Sequence, residues 1–176
     1  MTGATAVRTL EGTIAFTDLT GFTEYTALQG DEAALQLLDL QERLVNEQMG
    51  ERGRIVKNLG DGLMLWFDDP CAAIEVSLAL QEKFEVRSSE DDLPLWVRIG
   101  IHFGHPVKRG DDIVGHDVNV AARIVDLAGP GEVLVSDACT ERVGEMEGVV
   151  FEEIGPTIMK GIPEPVPLFR VMRAWA

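Results

Sequence analysis

Cysteines are few, basic residues are outnumbered two to one, and no apolar run is long enough to cross a bilayer; each shortage excludes something. The 176 residues include only two cysteines, Cys71 and Cys139. Both fall in segments that read as helices, with no Cys or His partner at metal-ligand spacing, so both are expected to be reduced thiols. A cytoplasmic location is the matching expectation. Lys and Arg total 15 against 30 Asp and Glu, a formal charge of −15. Nucleic acid and anionic membrane are therefore not expected as partners, since both require a basic face. The opening MTGATAVRTL lacks the apolar core of a secretion signal, and a spanning helix would need about 20 apolar residues in a row. Also missing is any Ser/His/Asp or Cys/His set that would argue for a protein nucleophile. His102, His105 and His116 fall on a strand and a turn and read as structural or rim residues.

What is present is a set of short polar motifs at the ends of apolar runs. Asp18 follows the strand-like Ile14 to Thr17, and Asp61 precedes the strand-like Leu63 to Phe67. Both carboxylates would then project from a sheet's rim, beside glycine-bearing turns that leave room for a ligand. Two carboxylates brought together repel unless one is protonated or a hard divalent cation joins them. Taken singly, each Asp is better explained as a turn former or helix cap. Lys57 lies four residues before Asp61, and Thr20, Gly21 and Thr23 follow Asp18. Further on, Val118 to Asp126 has the pattern of a helix that carries Asn119 and Arg123 four apart, on one face.

In order and separation these fragments resemble the class III nucleotidyl cyclases, which convert a nucleoside triphosphate into a 3′,5′-cyclic monophosphate and pyrophosphate. The resemblance rests on F-x-D-x-x-G-F-T at Phe16 to Thr23, K-x-x-G-D at Lys57 to Asp61 and D-I-x-G-x-x-V-N-x-A-x-R at Asp112 to Arg123. It implies that Asp18, Asp61 and the carbonyl of Leu19 hold two Mg²⁺ or Mn²⁺ ions. Thr20, Gly21, Phe22 and Thr23 would form a loop under the phosphates, Asn119 would orient the ribose, and Arg123 would bind the α-phosphate. Lys160, in MKGIPEPVPLFRV, matches a lysine that contacts the triphosphate. Glu132 departs from members with a basic residue nearby, which leaves more of the neutralising to Lys160 and the metals. A diguanylate cyclase or polymerase relative is disfavoured, because no acidic residue directly follows Asp61.

Lys57 and Asp112 match the family's purine-reading positions, and their chemistry points the same way. A donor-only ammonium suits adenine N1, and an acceptor-only carboxylate suits the 6-amino group; guanine reverses both polarities. The expected activity is adenylate cyclase acting on ATP, with guanylate cyclase or a catalytically weak nucleotide-binding regulatory module as alternatives. The resemblance further implies a homodimer, with sites shared between two subunits.

The length suits one core, so residues 1–10 are expected to be a flexible N-terminal segment and 11–176 a single catalytic domain. Strand, helix, hairpin, helix and strand follow one another. A strand is expected at Thr13 to Phe16, and a helix from Asp31 to about Gly50 with Leu35, Leu38, Val45 and Met49 buried. A hairpin over Arg54 to Phe67, a helix from Pro70 to about Val86, a polar loop at Ser88 to Asp92 and a strand at Leu95 to Phe103 complete the set. The fold class is α+β, a ferredoxin-like βαββαβ core with a small additional αβ lobe of class III cyclase type.

Overall fold

The computed structural model describes residues 7–174. Strands β1 (Arg8–Thr9) and β2 (Gly12–Leu19) lead into helices α1 (Phe22–Gln29) and α2 (Asp31–Met49). The hairpin β3 (Gly53–Asn58) and β4 (Gly62–Phe67), helix α3 (Pro70–Asp91) and strand β5 (Val97–Gly104) complete the βαββαβ unit. Next come β6 (Val107–Arg109), β7 (Asp112–Val114), α4 (His116–Leu127), β8 (Val133–Ser136), α5 (Asp137–Val143), β9 (Val149–Thr157) and β10 (Val166–Arg173). Of the segment expected to be flexible, Arg8 and Thr9 pair with Lys108 and Val107; residues 1–6 lie outside the described residues.

One seven-stranded sheet, in the order β3-β4-β2-β5-β8-β10-β9, forms the centre. Its first four strands are antiparallel in the ferredoxin-like order, and β8 joins parallel to β5 after the crossover through α4. The additional segment thus extends the same sheet, while β1, β6 and β7 make a separate three-stranded one. Alternation along the strands sorts side chains to the two faces. Ala15, Leu63, Leu65, Val97 and Ile99 meet α2 and α3 on one face. Ile14, Phe16, Met64 and Trp66 meet Ala121 and Val125 of α4 on the other.

Three local expectations need correcting. Leu35 is 61% exposed, and the buried stripe of α2 runs through Ala34, Leu37, Leu40, Gln41, Leu44, Val45 and Met49. Leucines at 35, 37, 38 and 40 admit more than one helical phase, and only packing chooses between them. The polar stretch Ser88 to Asp91 is the last turn of α3, supported by the Arg87–Asp91 ion pair at 2.7 Å. The helix stops at Asp92, whose left-handed φ of 51° a short polar side chain tolerates. The loop expected from Thr20 to Thr23 is shorter: Phe22 and Thr23 already belong to α1, and Gly21 enters it with φ 74°.

Candidate active site

Asp18 stands near the end of β2, opposite Gly62 of β4 and Arg98 of β5. The β3–β4 turn that carries Asp61 is drawn onto β2. Leu19 N–H donates to the Asp61 carbonyl at 3.0 Å, and a Cβ on Gly62 would fall 2.1 Å from the Thr17 carbonyl oxygen. Asn58 and Gly60 close the turn, with Gly60 N–H donating to Asn58 Oδ1 at 2.8 Å. Both carboxylates therefore border one cleft of about 260 Å³, walled also by Phe16, Leu59, Ala122 and Asp126. Burial, and then the charge of Asp18, push the Asp61 carboxyl above its ordinary range. Such a pair of hard oxygen donors, repelling one another beside the main chain of Leu19, fits a divalent cation. Among the described residues no group of three or more His, Cys, Asp or Glu side chains gathers as a metal cluster.

Arg98 is the site residue that the sequence reading missed. Its guanidinium pairs with the Asp18 carboxylate, and its Nη1 donates to the Asp126 carbonyl at 3.3 Å. Nε is buried without a partner. The signal was a lone Arg in the apolar VRIGI strand, but its partner depends on the β2–β5 register.

Lys57 and Asp112 come together although they lie on different sheets. The register of β3 against β4 shifts between Ile55 and Lys57, a bulge that re-aims Lys57 toward β7. Lys57 Nζ donates to Asp112 Oδ2 at 3.0 Å, and Asp112 Oδ1 accepts from the Ile113 N–H at 2.7 Å. The hydrogen bond from Lys57 holds the Asp112 carboxyl below its ordinary range.

Asn119 and Arg123 lie one turn apart on α4, which rests on the sheet through Val120, Ala121, Ile124 and Val125. Arg123 Nη1 lies 3.6 Å from Asp126 Oδ2. None of Lys57, Asp112, Asn119 and Arg123 lines the cleft between Asp18 and Asp61. Lys160 is exposed in the β9–β10 connection, between Met159 and Ile162, which are buried against Val120 and Ile124 of α4. Glu132 has a local role: it accepts from the Gly129 N–H at 2.5 Å and pairs with Arg170, which also holds Glu152. Its charge is met by Arg170.

A Ser, a His and an Asp do assemble, contrary to the sequence expectation. His102 Nδ1 lies 2.7 Å from Ser136 Oγ, and His102 Nε2 lies 2.8 Å from Asp117 Oδ1. Ser136 is completely buried, so its hydroxyl is closed to any substrate.

The ferredoxin-like sheet thus carries paired carboxylates at its rim and the amphipathic helix α4 across one face. The chain belongs to the family of adenylate and guanylate cyclase catalytic domains, whose family model matches residues 6–172. It is 34% identical over 164 residues to the pH-sensitive adenylate cyclase of Mycobacterium tuberculosis, covering 92% of this chain and 40% of that protein. It thus spans less than half the length of that relative. The adenylyl cyclase CyaB of P. aeruginosa has the same fold, with a TM-score of 0.85 at 24% identity, covering 97% of this chain and 98% of that one. The adenylate/guanylate cyclase/hydrolase of Silicibacter pomeroyi matches with a TM-score of 0.78 at 28% identity, over 96% and 100% of the two chains. No helix among the described residues is long and apolar enough to cross a membrane.

Proposed function

We propose that the chain is an adenylate cyclase that converts ATP to 3′,5′-cyclic AMP and pyrophosphate as a homodimer. The observation that carries the reading is the 3.0 Å contact of Lys57 Nζ with Asp112 Oδ2. A pure donor and a pure acceptor stand side by side, half exposed, in the polarity that the N1 and 6-amino edge of adenine requires. On binding, the two side chains exchange each other for the base.

Asp18 and Asp61, with the Leu19 carbonyl, would hold the divalent ions; Mg²⁺ or Mn²⁺, when bound, supplies a lowered pKa for the ribose 3′-hydroxyl and neutralises the leaving oxygens. Arg98, freed from Asp18, then has its guanidinium available for a phosphate oxygen. Helix α1 starts at Phe22 and Thr23 with no side-chain cap, so its free N–H groups would favour an anion beside Thr20 and Gly21. Asn119 orients the ribose, Arg123 forks onto the α-phosphate as charge builds, and Lys160 serves the triphosphate. No protein nucleophile is needed; catalysis is positioning and charge stabilisation. Because the cleft of Asp18 and Asp61 is walled by neither Asn119 nor Arg123 of the same chain, the reading takes those two, with Lys57 and Asp112, from the second subunit. Such an enzyme, with Cys71 and Cys139 unpaired, suits the cytoplasm.

The test is incubation of the purified chain with ATP or GTP and Mg²⁺ or Mn²⁺, with separate detection of cyclic AMP and cyclic GMP. Cyclic AMP from ATP in clear excess supports the reading. Cyclic GMP in excess identifies a guanylate cyclase, and nucleotide binding without product a regulatory module.

A further inference from the structure

Strand β5 turns Arg98, Gly100, His102 and Gly104 toward α4. The two glycines let the helix touch the strand directly: a Cβ on Gly100 would lie 2.4 Å from Val125 N, and one on Gly104 would lie 2.2 Å from Asp117 Cγ. Between them only His102 rises, and it is 7% exposed. Its Nε2 meets Asp117 Oδ1 at 2.8 Å, while Asp117 Oδ2 accepts from the His105 N–H at 2.7 Å. Its Nδ1 meets Ser136 Oγ at 2.7 Å. Asp117 sits in the first turn of α4, and Gly115, the N-cap, offers no side-chain cap. The imidazole of His102 is therefore the side chain, and the His105 N–H the main-chain group, that tie this end of the helix to the sheet, two residues from Asn119.

We infer that His102 and Asp117 are positioning residues for the reaction, holding α4 in the rotation that presents Asn119 and Arg123. The inference rests on the function proposed above. A helix carries its Cα atoms about 2.3 Å from its axis and its side-chain ends farther out, so a modest rotation displaces a guanidinium by about 1 Å. Misplacement on that scale lowers turnover by roughly 10²-fold. The groups around the contact leave it intact through neutral pH. Facing an acceptor-only carboxylate, Nε2 carries the proton in the neutral tautomer as in the charged ring, the Ser136 hydroxyl either donates to or accepts from Nδ1, and Cys139 beyond Ser136 is a neutral thiol pushed up to about 12 by burial. His116, on α4 itself, adds a further favourable charge toward Asp117 when protonated.

The experiment compares His102→Gln, His102→Asn, His102→Leu and Ser136→Ala in the full chain. Steady-state kinetics with MgATP, thermal unfolding and the NMR resonances of the Asn119 side-chain amide are recorded for each. A Gln amide reaches where Nε2 stands and keeps the donor to Asp117; an Asn amide reaches only Nδ1. We expect His102→Asn and His102→Leu to lose roughly 10²-fold in kcat with KM changed about threefold or less. His102→Gln should recover most of kcat, and Ser136→Ala should keep kcat even if it unfolds earlier. The Asn119 resonances should move in the Asn and Leu variants and return in the Gln variant. A Gln variant as impaired as the Asn variant, or kcat falling in step with the unfolding temperature across the series, overturns the inference. A parent chain with no cyclase activity overturns the function instead. In that case unmoved Asn119 resonances in His102→Asn also overturn the placing of α4 by His102, and moved ones uphold it.

Discussion

Lys57 Nζ reaches Asp112 Oδ2 at 3.0 Å across 55 residues of sequence, joining the bulged strand β3 to the short strand β7. The contact is half exposed, at 41% and 38% of the two side chains, so as a salt bridge it stabilises the fold by about 1 kcal/mol or less. In the proposed role of base reader the pair would count for more, because an unpaired polar group against the wrong purine costs more than a surface ion pair. Lys57→Ala should thus lower kcat/KM for ATP by roughly 10–10²-fold with the unfolding temperature nearly unchanged. Lys57→Glu combined with Asp112→Ser should lower ATP use and raise GTP use. Retention of the parent's ATP preference by the double variant would remove the base-reading role.

Asp18→Ala and Asp61→Ala should both abolish cyclisation, yet they should differ in stability. Asp18→Ala leaves the Arg98 guanidinium, whose Nε is already buried and unpartnered, without its carboxylate. A cost of about 1–3 kcal/mol is expected. Asp61 has its carboxyl raised by burial and by Asp18, so its ionisation opposes folding. That raised value means stability present at low pH and lost as pH rises through it. In chelator at neutral pH, Asp61→Ala should therefore unfold no earlier than the parent, and Asp18→Ala clearly earlier. Equal losses in thermal unfolding would contradict the assignment of Arg98 to Asp18.

Mixing dead chains tests the proposal that sites are shared between two subunits. An Asp18→Ala chain and an Arg123→Ala chain, each inactive alone, should regain activity on mixing, because a twofold dimer of the two collects both lesions in one site and leaves the other whole. A mixture that stays inactive after subunit exchange has been verified by mass spectrometry means that the residues act within one chain.

Acid should loosen the attachment of α4. The Asp117 carboxyl is held at about 2, against an ordinary 3.8, chiefly by the hydrogen bond from His102. A lowered carboxyl value contributes stability above the unfolded value and loses it as pH falls through the folded one, here between about 4 and 2. The contribution is about 2 kcal/mol. Chemical denaturation of the parent and of Asp117→Asn at a series of pH values should show the parent losing more stability over that window. Parallel curves would mean that Asp117 carries no such linkage.

Local pattern carried much of this molecule. The apolar runs at Ile14 and Leu63, the Asp69-Pro70 helix start and the motifs around Asp18, Lys57, Asp61, Asn119 and Arg123 each depend on near neighbours, so the sequence alone was enough to place them on strand ends, a hairpin and one helix face. The resemblance to the cyclases rests on the same short motifs, and the family match over residues 6–172 agrees with it. Other features required the tertiary structure. The phase of α2, with Leu35 outside and Leu37 inside, was chosen by packing against the sheet. Arg98 found Asp18, and His102 found Asp117 and Ser136, through strand register and helix placement that no local spacing encodes. The Lys57–Asp112 contact likewise needed a bulge in one sheet to face a strand of another. Sequence determined which polar groups exist and which local element carries each. Which of them touch was decided by long-range pairing and burial, because hydrogen bonds and ion pairs act over a few ångströms and only the assembled sheet brings distant residues that close.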